Sequence, residues 1–525
     1  QFFKDKREYQ FYVDSWECAG PYARGVRIGS NPSHRTAFRQ YLQQRYGTIG
    51  KMNERWRTAH RSFDDLSPAP ESPPALGEPG TPLYIESQRW AQEAYVDYLK
   101  LIRDTIARVD PTKPVLGEHS GLLSTVLSPR IFESVDILGY HHRARTTMPV
   151  QVWMSSLQRY ARKPTGLFEN FWGCQEDHPR RMSDERAMRA QMRRYLYRHA
   201  AWGRCTQTWW YAYTSAPYLT SYNGNWFNPV YDLTTFRYCA AGFPVEKQKV
   251  DKLEALLLNS EIVPSRLLLV QPYAAMLVQG RSSATLSEWL GWHDLLFPRN
   301  LLYEALPDSW FAEGTAKLSD FEAVILPLAP HLDRAFSRQL IAFLKEGGKV
   351  IASGPPGLYD EWGQADGALL AAAQPPVAAT QTSEPGKAWR FSFGTGQEGP
   401  GWTEANVGKG KLVLLSQSLL TLSDRQKLAD LARGWVIPAA EAPNTALELL
   451  LRRLPDGRHL LCALNRDPDS ATTGDVFVKG RFTRIADVDM DRPFLVRGHV
   501  EGDRTRFRVT LDPGSSAYFL LASGE

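Results

Sequence analysis

Pro164-Thr-Gly-Leu-Phe-Glu169-Asn-Phe-Trp172-Gly173 is the stretch on which the fold turns. A short apolar run climbs to one carboxylate, and aromatic residues follow at once. This is the pattern of a buried strand that delivers an acidic side chain to a rim. A near echo stands at Phe11-Tyr-Val-Asp-Ser-Trp16-Glu17-Cys18. Carboxylates at the carboxyl ends of strands in a (β/α) barrel read as catalytic rather than structural. A pair of them is what cleavage of a glycosidic bond needs, one to protonate the leaving oxygen and one to attack or to activate water.

Strand and helix patterns alternate on both sides of this stretch. Strands are expected at 8–17, 115–118, 135–140, 166–169 and 206–211, and helices at 33–47, 49–56, 83–109, 150–161 and 183–202. On 33–47, Phe38, Tyr41 and Leu42 share one face and Gly47 suits the C-cap. On 83–109, Trp90, Ala94, Tyr98, Leu101, Ile102 and Ile106 are expected to face inward. Alternation of this kind implies a parallel sheet, either a barrel or a doubly wound sheet.

From about 262 the pattern restarts with strands at 266–270, 323–328 and 348–353 and helices at 282–297 and 333–345, a doubly wound unit. Gly347-Gly348-Lys-Val-Ile-Ala-Ser-Gly354-Pro-Pro-Gly357 lacks both GxGxxG and a Walker lysine, so it reads as a turn, a buried strand and an exit loop. Residues 363–405 look like an insertion or irregular β segment. From 445 onward, partly alternating strands separated by Gly and Asp turns predict a small all-β domain.

The bulk properties bound the function. At 525 residues, two to four domains are expected. The net charge of +5 is small, and Lys and Arg are interspersed with Asp and Glu, which argues against a nucleic-acid partner. The arginines between Arg180 and Arg198 fall at helical spacing and read as a solvated face. No apolar run reaches the 18 residues or so that would cross a membrane. The five cysteines, Cys18, Cys174, Cys205, Cys239 and Cys462, include no CxxC pair and predict neither a zinc ribbon nor a disulfide framework. No metal and no cofactor is expected. The 16 Trp and 22 Tyr lean toward a carbohydrate partner, because sugar C–H faces stack on aromatic rings.

Residues 38–65, with Phe38-Arg39-Gln-Tyr-Leu-Gln-Gln-Arg-Tyr46-Gly47-Thr48-Ile49-Gly-Lys-Met-Asn53-Glu-Arg-Trp56 and Ser62-Phe63-Asp64-Asp65, resemble the family 42 β-galactosidases. In that family such a helix follows the strand that carries the acid/base. Val135-Asp136-Ile-Leu-Gly-Tyr140 resembles the sixth barrel strand and Leu167-Phe-Glu169 the seventh. Phe321–Gly357 resembles the family's glutamine-amidotransferase-like trimerisation domain. The resemblance implies an α/β fold: a (β/α)8 TIM barrel over 1–250, an amidotransferase-like α/β domain over 260–440 and a small β-sandwich domain over 445–525. The five strands expected here would be strands four to eight. The first strands of the barrel are then missing from this chain, roughly 100–150 residues by barrel size. The resemblance also implies a homotrimer. The compartment, cytoplasmic or secreted, is not indicated.

By the same resemblance Glu169 is the nucleophile and Glu17 the acid/base of a retaining hydrolase acting on an oligosaccharide or other β-linked glycoside, by default a β-galactoside. Trp neighbours lower the local dielectric and raise the pKa that the acid partner needs. Glu118, in Leu116-Gly-Glu118-His119, is the rival acid/base or a substrate contact. Tyr140 and His141 (with His142 beside them) end the next strand and are expected to touch sugar or orient Glu169. Trp172, Trp209, Trp210 and Trp226 are expected as stacking platforms or rim. Where the family places Asn before the acid/base, this chain has Trp16. That departure keeps two alternatives open: a catalytically inactive carbohydrate-binding relative, and a hydrolase for another sugar such as a β-mannoside.

Overall fold

The computed structural model describes residues 12–14, 32–69, 81–119, 129–142, 144–170, 185–202, 237–279, 284–382, 389–394, 397–398, 401–488 and 494–523. Four parallel strands stand side by side in chain order: β1 (Tyr12–Asp14), β2 (Val115–His119), β3 (Ile137–His142) and β4 (Thr165–Asn170). Parallel neighbours need a crossover of a dozen or more residues. Helices α1 (Pro32–Tyr46), α2 (Ile49–Trp56) and α3 (Pro82–Val109) lie between β1 and β2, and α4 (Ala144–Ala161) lies between β3 and β4. Helices α5 (Glu185–Ala201) and α6 (Arg237–Leu258) follow. The strand expected at 206–211 lies outside the described residues.

Helix α1 stops where its sequence says it should. Gly47 takes a left-handed φ of 73°, and its N–H donates to the Gln43 carbonyl at 2.8 Å. The expected inward face of α3 holds at Trp90, which is buried, and is corrected beyond it. Tyr98 and Leu101 are 43% and 61% exposed and Ala94 is exposed, while the buried stripe runs Ile85, Arg89, Gln92, Val96, Leu99. Arg89 and Gln92 are polar, so apolarity alone selects a stripe turned away from the true one.

A second sheet is built from β6 (Leu267–Gln271), β7 (Glu304–Pro307), β8 (Ala323–Leu326), β9 (Lys349–Ser353), β12 (Gln397–Glu398), β13 (Trp402–Val407) and β14 (Gly410–Leu415), after the short β5 (Glu261–Ile262) and around an antiparallel pair, β10 (Ala378–Gln381) and β11 (Phe391–Gly394). Its order is β12-β13-β14-β9-β8-β6-β7. The parallel members, taken as first to fifth in the chain, fall in the order 2-1-3-4-5, which is doubly wound with a reversal at β6. Helices α7 (Tyr273–Gln279), α8 (Ala284–Leu296), α9 (Asp308–Ala312), α10 (Arg334–Lys345) and α11 (Arg425–Trp435) accompany it. The end of the segment expected to be irregular thus carries a regular strand, β13. The Gly-rich stretch at 347–357 is a turn, the buried strand β9 and an exit at Gly354, whose φ is 75°.

The C-terminal region holds β15 (Ala440–Glu441), β16 (Leu447–Arg453), β17 (His459–Asn465), β18 (Thr472–Lys479), β19 (Arg484–Asp487), β20 (Phe494–Val496), β21 (His499–Glu501), β22 (Arg504–Leu511) and β23 (Ser516–Ala522). They form two sheets, β15-β18-β22-β21 and β20-β19-β23-β17-β16-β5. Leu449, Leu461 and Phe519 of the second meet Val476, Phe507 and Val509 of the first in one apolar core. The opposite face, with Leu450, Leu460, Cys462 and Tyr518, joins the main core of the molecule. Burial on both faces is why Leu447-Glu-Leu-Leu-Leu does not alternate. Burial also pushes the Cys462 thiol up to about 12, the behaviour of a packing thiol.

The arginine-rich helix α5 is not simply a solvated face. Arg198 is 7% exposed and grips Glu448 of β16 through Nε at 3.0 Å and a terminal nitrogen at 2.5 Å. Arg466 reaches the same carboxylate at 3.4 Å. Arg193 donates to Glu246 of α6 at 2.7 Å. A buried carboxylate needs such partners, and they fasten the helix after β4 to the C-terminal sheet.

Candidate functional site

The carboxyl ends of β1 to β4 converge on one sheet edge, and the strand register fixes what meets there. Glu118 stands opposite Gly139, and His119 opposite Tyr140. Tyr140 stands opposite Leu167, but His141 stands opposite Glu169 and His142 opposite Asn170. The register slips between Tyr140 and His141, so Phe168 has no Cα partner across β3. Bulges of this kind re-aim side chains beside active sites. Here the slip aligns Glu169 with His141 where an unbroken register would align it with His142.

Glycine allows the strands to close up just below this edge. A Cβ on Gly139 would lie 2.8 Å from the Gly117 carbonyl oxygen and 2.9 Å from Leu116 Cδ2. The Gly117 carbonyl is backbone and cannot give way, so β3 approaches β2 only because the position carries no side chain.

The opposite ends of the strands are pinned by polar bonds. The Val115 N–H donates to Asp136 Oδ2 at 2.9 Å, Lys163 Nζ to the Val135 carbonyl at 2.8 Å and Thr165 Oγ1 to Gln158 Oε1 at 2.9 Å. Leu116, Leu138, Trp153, Met154 and Leu157 are buried around them. One end of the sheet is therefore fixed, and the other carries Glu118, His119, Tyr140, His141 and Glu169.

Among the expected site residues, the backbone brings these five to one edge. Glu17 follows β1 by three residues; it lies outside the described residues, as do Trp16, Trp172, Trp209, Trp210 and Trp226. No group of three or more His, Cys, Asp or Glu able to hold a metal occurs among the described residues.

The long motif at 38–65 packs against α3 and the segment after β9 and carries none of these candidates. Phe38, Leu42, Met52 and Trp56 are buried together with Trp90 and Trp362. Asn53 ties its loop, donating to the His60 carbonyl at 2.8 Å and accepting the His60 N–H at 2.9 Å. At the centre is Glu86 on α3, fully buried. It accepts the hydroxyls of Tyr41 and Tyr46, each at 2.9 Å, and pairs with Arg89 and, at 3.4 Å, with Arg45. Burial alone would raise the Glu86 pKa, but Arg89, Arg45 and the two tyrosines outweigh it and hold the carboxyl below its ordinary value. Trp56 and Trp362 both donate to the Tyr46 oxygen, at 3.0 and 3.1 Å, joining this cluster to the segment after β9. No local pattern in the sequence marks Glu86 or Arg89; both sit at ordinary helical positions, Glu86 lying 45 and 40 residues from the two tyrosines it meets.

Residues 10–216 match the glycoside hydrolase family 42 model, described as β-galactosidase. The chain is 32% identical over 105 residues to the β-galactosidase Bga of Halorubrum lacusprofundi; the match spans 19% of this chain and 15% of the length of that curated relative. The crystal structure of β-galactosidase from Bacillus circulans sp. alkalophilus superposes with a TM-score of 0.70 at 16% identity, covering 99% of this chain and 80% of that one. That of the polyextremophilic β-galactosidase from the Antarctic haloarchaeon Halorubrum lacusprofundi superposes with a TM-score of 0.64 at 15% identity, covering 98% and 80%. The resemblance to family 42 drawn from the sequence therefore holds, and the fold is that of the β-galactosidases of this family.

Proposed function

We propose, on the premise that the chain is a family 42 relative, that it is a glycoside hydrolase acting on β-galactosides with retention. The observation that carries this is the placement of Glu169 at the carboxyl edge of a sequentially ordered parallel sheet, in register with His141. Sequential order is what consecutive strands of a (β/α) barrel have, so β1 to β4 are taken as part of one.

In this mechanism Glu169 attacks the anomeric carbon and forms a glycosyl ester while Glu17 gives its proton to the departing oxygen. Glu17 then removes a proton from water, the water oxygen bonds to the anomeric carbon, and the Glu169 carboxylate leaves. His141, Tyr140, Glu118 and His119 are proposed to contact or orient sugar and carboxylate. Trp16, Trp172, Trp209, Trp210 and Trp226 are proposed to stack on or frame the substrate. Three domains, 1–250, 260–440 and 445–525, and a trimer complete the proposal, both on family resemblance; light scattering of the purified chain checks the trimer.

The test is a panel of nitrophenyl β-glycosides given to the wild type and to Glu169→Gln. Turnover of the β-galactoside that the substitution abolishes supports the proposal. Trp16, in the place where the family has Asn, favours a second reading: a sugar-binding relative without turnover, or a hydrolase of another sugar. Galactoside binding without release of nitrophenol would establish the former, and preference for the β-mannoside would establish the latter.

A further inference from the structure

A cavity of about 450 Å³ lies where the helices after β1 meet the carboxyl ends of the second sheet. The segments leaving β6, β7 and β8 contribute Tyr273, Asp308 and Asp333 to its wall. Chain order reverses at β6, with β7 on one side and β8 on the other. A reversal of this kind parts the flanking loops, and open α/β sheets bind ligands in the crevice that results.

Asp308 is the decisive residue. It is 1% exposed. Its Oδ1 accepts the N–H groups of Tyr273 at 2.9 Å and Ser309 at 3.0 Å, while its Oδ2 has no hydrogen-bond partner within bonding distance among the described residues. Burial, reinforced by Asp333, raises its pKa to about 7, against the moderating effect of the nearby amides, Ala274 included. Asp333 and Glu361 line the same cavity, and each gives one oxygen to the start of α10: Asp333 Oδ1 accepts the Ala335 N–H at 2.7 Å, and Glu361 Oε2 the Arg334 N–H at 2.9 Å. None of these three carboxylates has an ion pair among the described residues. The arginines that line the cavity are engaged elsewhere, Arg45 and Arg89 with Glu86, Arg130 with Glu93 and Arg334 with Asp360. Arg55 stands 4.6 Å over the Trp362 ring, and Arg338 is exposed. A buried carboxylate oxygen without a partner is costly, and none of the described residues supplies the compensating charge.

We infer that this cavity binds a small organic ammonium ion, held by Asp308 with the support of Asp333 and Glu361. The inference does not depend on the reading given to the edge of β1 to β4. The experiment is calorimetric titration of the full chain with 1,4-diaminobutane and with 1,4-butanediol, which has the same length and no charge. The diamine should bind with one site and at least ten times more tightly than the diol. Asp308→Asn keeps the Oδ1 acceptor and should weaken the diamine at least tenfold, while Glu169→Gln should leave it unchanged. If Asp308→Asn does not fold, judged by circular dichroism, Glu361→Gln is read in its place and should weaken the diamine severalfold. Equal binding of diol and diamine, no binding, or full affinity in the folded Asp308→Asn or Glu361→Gln variant would overturn the inference. Loss of diamine binding in Glu169→Gln would also overturn it, placing the ion at the β1 to β4 edge while leaving the proposed hydrolase intact.

Discussion

The parallel strands of the two sheets end in carboxylates that are treated in opposite ways. At the edge of β1 to β4, Glu169 and Glu118 stand on the strands themselves, in register with His141 and next to His119. At the edge of the second sheet, Asp308 lies just past its strand, turned to backbone amides at the reversal of chain order. In the first sheet each strand neighbours the next in sequence, so successive rims add up to one site. In the second the chain turns back, and the rim residues cap helices and border a cavity. Similar strand chemistry yields a candidate catalytic centre or a capping and binding crevice, depending on strand order.

Substitution at the two edges should therefore fail in different ways. The largest effect is expected at Glu169→Gln, with kcat on the β-galactoside falling about 10³-fold or more and unfolding unchanged, measured by steady-state kinetics beside thermal melting. Next is Glu448→Ala, which leaves Arg198 and Arg466 buried without their carboxylate and should cost about 3–5 kcal/mol in denaturant unfolding. Asp308→Asn sharpens the contrast through pH. The Asp308 pKa is raised on folding, so its neutral form is favoured and its contribution is full below the unfolded value of about 4. That contribution is lost as pH rises toward about 7. The wild type should lose more stability between pH 4 and 7 than Asp308→Asn does. Glu86 has the opposite sign: its carboxyl is depressed, so its contribution is present above the ordinary carboxylate range and lost as pH falls through the depressed value. Gly139→Ala should cost about 1–3 kcal/mol and lower kcat as well, because the new methyl pushes β3 from β2 beneath the edge. The smallest effect is Tyr41→Phe, about 1.5 kcal/mol for one hydrogen bond to the Glu86 carboxylate.

What the sequence makes legible follows from which interactions are local. The strand at Thr165–Asn170, helix α1 with its Gly47 stop, and the alternation that gives parallel strands in two sheets all rest on spacing within a few residues. The inward stripe of α3 is not legible, because Arg89 and Gln92 occupy it and their partners lie elsewhere in the chain. Arg198 looks solvated until Glu448, 250 residues away, is folded against it. Glu118, His119, Tyr140, His141 and Glu169 are each readable as strand ends, but the slip that sets Glu169 beside His141 appears only in the pairing of β3 with β4. Asp308, Asp333 and Glu361 carry no motif, since only the chain reversal at β6 gathers them. The 38–65 motif teaches the reverse lesson. It is the most specific signature in the chain, and its residues pack and pin the scaffold.

The most direct test of the central claim is proton NMR of the first sugar released from p-nitrophenyl β-D-galactoside, before mutarotation. Double displacement at Glu169 predicts β-galactose first and no release by Glu169→Gln. First appearance of the α-anomer, or undiminished release by Glu169→Gln, would contradict it.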